Sequence, residues 1–233
     1  ILLLGKNVKH RSGMLSINYT YYNNLDTFKL VRDHYLNLPD YGYQFNIADD
    51  GSKDIPLPND EVPKEWNHYL IEDDIGFNNE GARNLLMQQT KTKWNVCIDM
   101  DRVISPTLYN QLKDYMLHAD ENKLHRFMRV PNANTKSPDF LTTKDYFWSM
   151  NGYAESYKSD NSGYRYYGCD ITLLNKSENK FLTFLAPLYT IEKQYAEPPI
   201  DKNKPWINSG LKPFDDGLRV NFKWKKINAN ISN

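Results

Sequence analysis

Runs of β-forming residues alternate with helix-patterned stretches through the first half of this chain, and three of those runs stop at polar or acidic clusters. Residues 15–22, LSINYTYY, alternate in part and are rich in β formers, as a strand requires. Asp26 can cap a helix over roughly 27–37, with Phe28, Leu30, Val31, Tyr35 and Leu38 as its apolar face. Pro39, Asp40 and Gly42 end that helix, and residues 43–48 read as a second strand. A polar loop carrying Pro56, Pro58 and Pro63 leads to a short third strand at 68–71. A helix over 80–89 and a fourth strand at 94–98 follow; Pro106 then occupies the first turn of another helix, with Leu108, Leu112, Tyr115 and Met116 at helical spacing. This alternation argues for an α/β fold with a largely parallel sheet covered by helices. The second half is less regular: strands at 124–130 and 181–189, short helices at 143–150 and 170–175, and a tail from Pro198 that runs over the surface.

The 233 residues suit one large domain with a sizeable core. Lys plus Arg and Asp plus Glu both number 29, so no global basic field exists to hold nucleic acid, and none is expected as a partner. Cys97 and Cys169 make no close-spaced metal or redox pair; Cys97 reads as a buried small hydrophobe, and a reducing, cytoplasmic setting fits. The opening Ile1-Leu2-Leu3-Leu4 is too short to span a bilayer and lacks the flanks of a secretory signal, so no transmembrane segment is expected. Residues 1–14 read as an N-terminal extension, native or vector-derived, to which no function is assigned.

In such sheets ligands bind beyond the carboxyl ends of the strands, near a change of strand order. Thr20-Tyr21-Tyr22, Asp49-Asp50 and Asp99-x-Asp101 sit at three predicted strand ends. Each cluster alone is equally well a set of solvated turn residues; together they can build one site. In "WNVCIDMDRVISP" (94–106) an apolar strand ends at two carboxylates. If extension persists, both point the same way and Met100 the other. Paired carboxylates repel unless a cation lies between them, and Mg²⁺ or Mn²⁺ takes one or two protein carboxylates and completes its shell with phosphates and water. Asp49-Asp50-Gly51-Ser52 offers an acceptor for a nucleobase imide or a ribose hydroxyl, and Arg83 in a loop-to-helix segment suits a diphosphate. Asp170, after Gly168, reads either as a helix cap or as a general base.

In order and spacing, Thr20-x-Tyr22-Asn23, Asp49-Asp50-Gly51-Ser52, Gly81-Ala82-Arg83-Asn84 and Asp99-x-Asp101 resemble the nucleotide-binding half of family 2 glycosyltransferases of the GT-A fold. Asn151-Gly152-Tyr153-Ala154-Glu155 resembles that family's Gly-Gly-Phe-Asp-Glu segment, and Gly168-Cys169-Asp170 its Glu-Asp segment; the match runs over roughly residues 15–175. The resemblance implies a Rossmann-like, mixed, mostly parallel sheet flanked by helices, as one GT-A domain. Residues 15–105 would be its nucleotide-sugar half, 106–197 its acceptor and catalytic half, and 198–233 a C-terminal surface tail.

It also implies a metal-dependent, inverting transfer of a sugar from a nucleoside-diphosphate sugar, with UDP favoured, to a glycan or other hydroxyl acceptor. Thr20, Tyr22 and Asp50 would hold the base, Arg83 would lie near base or diphosphate, and Asp99 would approach the ribose. Asp101, with Asp99 as a weaker candidate, would hold Mn²⁺ or Mg²⁺, and Asp170 would deprotonate the acceptor. Trp148, Tyr153 and Glu155 are the acceptor-side candidates, in a region crowded by Tyr157, Tyr164, Tyr166 and Tyr167. Cys169, Asn151 and Ala154 depart from the family pattern, all on the acceptor side, and no histidine follows His125 to serve as a late metal ligand. Two other readings stay open. A sugar-nucleotide nucleotidyltransferase would want a Gly-rich phosphate loop where Tyr22-Asn23-Asn24-Leu25-Asp26 stands; a catalytically inactive glycan- or nucleotide-binding relative would release no nucleoside diphosphate.

Overall fold

The computed structural model describes residues 14–73, 78–130, 136–155, 173, 176–177, 181–190, 217 and 219–228. The elements run β1 (Leu15–Tyr21), α1 (Leu25–Leu36), β2 (Gln44–Asp49), β3 (Asn67–Ile71), α2 (Asn79–Gln89), β4 (Trp94–Ile98), β5 (Arg102–Ile104), α3 (Pro106–His118), β6 (Leu124–Val130), β7 (Lys136–Thr143), α4 (Lys144–Ser149), β8 (Phe181–Thr190) and β9 (Trp224–Lys226). Among the described residues the strands form one sheet of order β5-β8-β6-β7-β4-β1-β2-β3-β9. The sheet is mixed. β4, β1, β2 and β3 are parallel neighbours, as are β6 and β8, while β7, β5 and β9 pair antiparallel with theirs.

The strands and helices expected from the sequence are present wherever the chain is described; β5, β7 and β9 are additional. β7 carries Pro138, which cannot donate to a ladder and so masks a strand pattern. Opposite it the register of β6 shifts between Arg126 and Met128, an irregularity that accommodates the proline. β9 lies in the stretch read as a surface tail and closes the sheet edge beside β3. At α1 the cap is Asn24, whose side chain accepts from Thr27 N at 3.3 Å; Asp26 sits inside the first turn, where its charge complements the helix dipole. Leu30 faces out, 52% exposed, and Phe28, Val31 and Tyr35 carry the buried face.

Both faces of the sheet are covered. Leu15, Ile17, Tyr19 and Tyr21 of β1 and Trp94, Val96 and Ile98 of β4 share one core with Phe28, Val31 and Tyr35 of α1 and Leu108, Leu112 and Met116 of α3. Each such side chain contributes about 1.5–3 kcal/mol on burial. On the opposite face Ala82, Leu85 and Leu86 of α2 pack on Ala48, Tyr69 and Ile71, with Val220, Phe222 and Trp224 closing the outer side. Met87, Cys97, Phe140, Phe147 and Tyr153 form a third cluster; Cys97 is buried there as a small hydrophobe.

The α2-facing side also carries a row of amides. Lys226 Nζ donates to Asn67 Oδ1 (2.6 Å), Asn67 to Asn46 (2.7 Å), Asn46 to Asn18 (2.7 Å), and Asn18 to Asn95 (3.2 Å). Asn95 then donates to the carbonyls of Lys93 (3.3 Å) and Thr92 (3.4 Å). The donors all run one way across five strands, so each buried amide is matched by its neighbour. A one-residue slip of β1, β2 or β3 would move its asparagine to the other face and strand two partners.

Candidate functional site

In the order β4-β1-β2-β3 the chain steps from β1 outward to β3 and then returns to the other side of β1, so a switch point lies between the carboxyl ends of β1 and β4. Register brings the three expected clusters to one edge. Tyr21 pairs with Asp49, and Tyr19 with Ile98, the residue before Asp99. Thr20, Tyr22, Asp49, Asp50 and Asp99 therefore stand on neighbouring strand ends. Thr20 Oγ1 and Asn79 Oδ1 are hydrogen-bonded, joining β1 to α2, and Tyr22 is half-buried just beyond β1.

The two β2 carboxylates differ in what they hold. Asp49 accepts from Ser52 N and Leu57 N, both at 2.9 Å, and burial pushes its pKa above the usual carboxylate value. It shapes the loop. Asp50, 1% exposed, accepts from Asn78 N at the start of α2, while its own N–H donates to Tyr21 O at 2.9 Å. Ser52 Oγ accepts from Asn23 N (2.9 Å) and Asn23 Oδ1 from Ile55 N (2.8 Å), so the loops after β1 and β2 are laced together.

After β4 the chain turns instead of staying extended: Arg102 N donates to Asp99 O at 3.0 Å. Strand alternation therefore does not set the directions of Asp99 and Asp101, although Met100 packs on the first core. Asp99 Oδ1 accepts from Arg83 Nη2 at 2.6 Å and Asp99 Oδ2 from Arg102 Nη1 at 2.8 Å. Arg102 Nη1 also bonds Asp139 Oδ2, and Asp139 Oδ1 accepts from Asp99 N at 2.8 Å. Asp101 is 9% exposed, with its Oδ1 at 3.9 Å from Arg102 Nε. Burial acts to lower the Arg102 pKa, but the charges of Asp139, Asp99 and Asp101 outweigh it and hold that pKa above its ordinary value.

The turn is held from the side of α1 as well. Tyr19 OH donates to Arg102 O (2.8 Å), Tyr35 OH accepts from Ile104 N (3.0 Å), and the two phenols share a 2.8 Å hydrogen bond. His34 Nε2 lies 2.9 Å from Ile104 O. β5 is thus fixed by side chains from β1 and α1.

On the other half, Tyr153 is 1% exposed and its hydroxyl accepts from Arg83 Nη1 at 3.0 Å, with the guanidinium 5.7 Å from the ring centre. Asn84 Nδ2 donates to Tyr153 O (2.9 Å) and Glu155 Oε1 (2.6 Å), and Asn84 Oδ1 accepts from Tyr153 N (3.0 Å). Glu155 accepts in addition from Val220 N at 2.7 Å, and Arg219 Nε donates to Asn151 O at 2.6 Å. Gly152, at φ +53°, is required here: a Cβ would lie 2.8 Å from Asn84 Oδ1 and 2.9 Å from Phe147 Cε1. Trp148 is half-buried, its ring edge-on to Phe147 at 5.0 Å. Of the three acceptor-side candidates, Tyr153 and Glu155 are therefore engaged inside the fold, and Trp148 keeps a partly exposed ring.

Asp170, with Tyr157, Tyr164, Tyr166 and Tyr167, lies outside the described residues, as does most of the helix expected at 170–175. Sequence reasoning missed Arg102 and Asp139, and named Asn84 only within its segment, with no role. Arg102 carried a signal, following Asp101 directly. Asp139 carried none beyond the Pro138 before it, which marks the irregularity that aims this side chain.

Neither a family model nor a curated protein sequence matches the chain. Solved structures do match in fold. TarS residues 1–349 from S. aureus, also solved with UDP-GlcNAc, aligns at TM-score 0.57 and 15% identity over 76% of this chain and 60% of its own. The mannosyltransferase PcManGT from Pyrobaculum calidifontis, in complex with GDP-Man and Mn²⁺, aligns at TM-score 0.55 and 14% identity over 79% and 58%. Glucosyl-3-phosphoglycerate synthase from Mycobacterium tuberculosis, with Mn²⁺, UDP-Glc and phosphoglyceric acid, aligns at 0.54 and 13% over 78% and 72%. The chain spans about three fifths of the length of TarS 1–349 and PcManGT. The fold is thus the GT-A fold, and no helix of the described residues is long and apolar enough to cross a membrane.

Proposed function

We propose that this chain is a metal-dependent, inverting glycosyltransferase that takes a nucleoside-diphosphate sugar, a UDP-sugar by preference, and transfers the sugar to a glycan or other hydroxyl acceptor. The observation that carries the reading is the gathering of Thr20, Tyr22, Asp50, Arg83, Asp99 and Asp101 around the switch point of a GT-A sheet. Proteins of this fold with UDP-GlcNAc, UDP-Glc and GDP-Man bound support a nucleotide-sugar as donor, and two of those three donors carry uracil.

The residues fit a hard divalent cation. Asp99 and Asp101 stand together at the end of β4, and their carboxylate oxygens are the hard donors such an ion takes. Mg²⁺ and Mn²⁺ are commonly held by one or two protein carboxylates, with substrate phosphates and water completing the shell. Asp101 is the ligand proposed. Asp99, with both oxygens accepting from arginines, is the ribose-side group and the weaker ligand candidate. When bound, the ion neutralises charge developing on the leaving diphosphate.

The chain's own groups do the rest. Tyr22 stacks on the base and Asp50 and Thr20 meet its edge; Arg83 fixes Asp99 against Tyr153, so donor and acceptor halves share one guanidinium. Trp148 offers a ring face to a sugar, Tyr153 and Glu155 hold the wall behind it, and Asp170 takes the acceptor proton as the anomeric bond inverts. Melting the protein with UDP, GDP, CDP and ADP, each with and without Mn²⁺, tests this: a metal-dependent rise with UDP is expected, since a ligand at 100 times its Kd adds about 2.7 kcal/mol. No shift with any diphosphate would refute the donor assignment.

A further inference from the structure

Beyond the paired ends of β1 and β2 the two chains stay tied together. Tyr21 and Asp49 are the last partners in register, and Asp50 N donates to Tyr21 O at 2.9 Å. The next tie runs from Asn23 N to Ser52 Oγ at 2.9 Å, and a third from Ile55 N to Asn23 Oδ1 at 2.8 Å. Tyr22 on one chain and Asp50-Gly51 on the other thus stand between the same two ties. Each loop turns at a residue in the left-handed region, Asn23 at φ +49° and Gly51 at φ +69°. Asparagine adopts that region more readily than most side chains, and unlike glycine it brings an oxygen to hold Ile55 N. We propose that Asn23 is a positioning residue for base recognition, which fixes the gap between Tyr22 and Asp50 and so sets the preference for one nucleobase; this rests on the donor-site reading above.

The surroundings of Asn23 make it the joint between two anchored segments. On the β2 side, Asp49 accepts from Ser52 N and Leu57 N, both at 2.9 Å, and Ile55 O accepts from Tyr21 OH at 2.6 Å. On the β1 side, Asn24 caps α1 by accepting from Thr27 N at 3.3 Å. Loss of the Asn23 carboxamide leaves the strand pairing and the helix cap in place and loosens the seam between them. A base that stacks on one group and meets the other with its edge needs both at a set spacing. The diphosphate, by contrast, is common to every nucleoside diphosphate. A change in the gap therefore shows as lost discrimination between bases, not as a uniform loss of affinity.

The test is calorimetric titration of the folded whole chain with UDP, GDP, CDP and ADP at saturating Mn²⁺. Its readout is the ratio of Kd between the weakest-bound and the tightest-bound of the four. Asn23→Gly keeps the backbone turn and loses the carboxamide, and is expected to lower that ratio by about 3–10-fold, the worth of one hydrogen bond. Ser52→Ala breaks the seam from the opposite loop and should lower it by a similar factor; the double variant should lose less than the product, since both act through one contact region. Asn23→Asp keeps an acceptor for Ile55 N and should hold the ratio within about twofold of wild type. A residue that merely stabilises the fold lowers the melting temperature without moving the ratio. An unchanged ratio in Asn23→Gly therefore overturns the proposal, as does a wild type that binds all four equally. Should Asn23→Gly fail to fold, Ser52→Ala decides by the same measure. Wild type that binds none of the four brings down the donor-site reading itself, and this inference with it.

Discussion

Arg83 reaches from α2 to the Asp99 carboxylate at 2.6 Å and, with its other amine, to the Tyr153 hydroxyl at 3.0 Å. The side chain is 1% exposed, so a single buried cation joins the strand end of the first half to the loop after α4. Arg83→Leu leaves Asp99, which keeps Arg102, and the Tyr153 hydroxyl each short of a donor, and is expected to destabilise by about 1–3 kcal/mol, the usual cost of leaving such groups unsatisfied. Arg83→Lys should recover little of this, because an ammonium cannot span two partners as a planar fork does. Urea denaturation of the three proteins gives the comparison.

The donor half was legible in the sequence because its signals are local. Strand periodicity, Pro106 at a helix start and acids at strand ends need only neighbours in the chain; β4 and β6 have their expected bounds, and α3 begins at Pro106 as expected. What escaped is non-local. Asp139 matters only because β7 pairs with β4, a pairing across 40 or more residues that no window can contain. Glu155 looked like an acceptor-side acid because its partner Val220 lies 65 residues further on. The turn at 99–102 contradicted simple strand alternation because Arg102 N bonds back to Asp99 O.

That long-range contact makes residues 219–228 part of the site's scaffold. Glu155→Ala takes the acceptor from the Val220 amide and from one Asn84 donor, and is expected to cost about 1–3 kcal/mol. Hydrogen exchange locates the effect: the Val220 amide should exchange faster in the variant, while amides of the β1–β2 ladder should not. Equal protection at Val220 in both proteins would mean that the carboxylate does not hold it.

Stability should fall on acidification in part through His68; His125, also buried with its pKa lowered by burial, acts in the same direction. His68 is 2% exposed, its Nε2 has no hydrogen-bond partner among the described residues, and burial lowers its pKa to about 4. The unfolded chain binds that proton from about pH 6.5 downward, so the folded state loses ground between about pH 6.5 and 4 and no further below it. The full span is worth about 3 kcal/mol. His68→Gln should flatten this part of the profile relative to wild type in melts at closely spaced pH values. An unchanged difference between pH 7 and pH 4.5 would show that His68 is not the group.

The amide row offers a position-dependent test. Asn46→Ala removes the middle link, leaving Asn18 Oδ1 without its donor and Asn67 Nδ2 without its acceptor inside the fold. Two such groups at about 1–3 kcal/mol each predict a loss of about 2–5 kcal/mol. Lys226→Met removes only the end donor, from an exposed side chain at the sheet edge where water can take its place, and exposed polar contacts contribute at most about 1 kcal/mol. The row therefore predicts a steep gradient from centre to edge in denaturant midpoints. Equal costs for the two variants would mean the amides act separately, each merely tolerated, and that strand register is set by the apolar face alone.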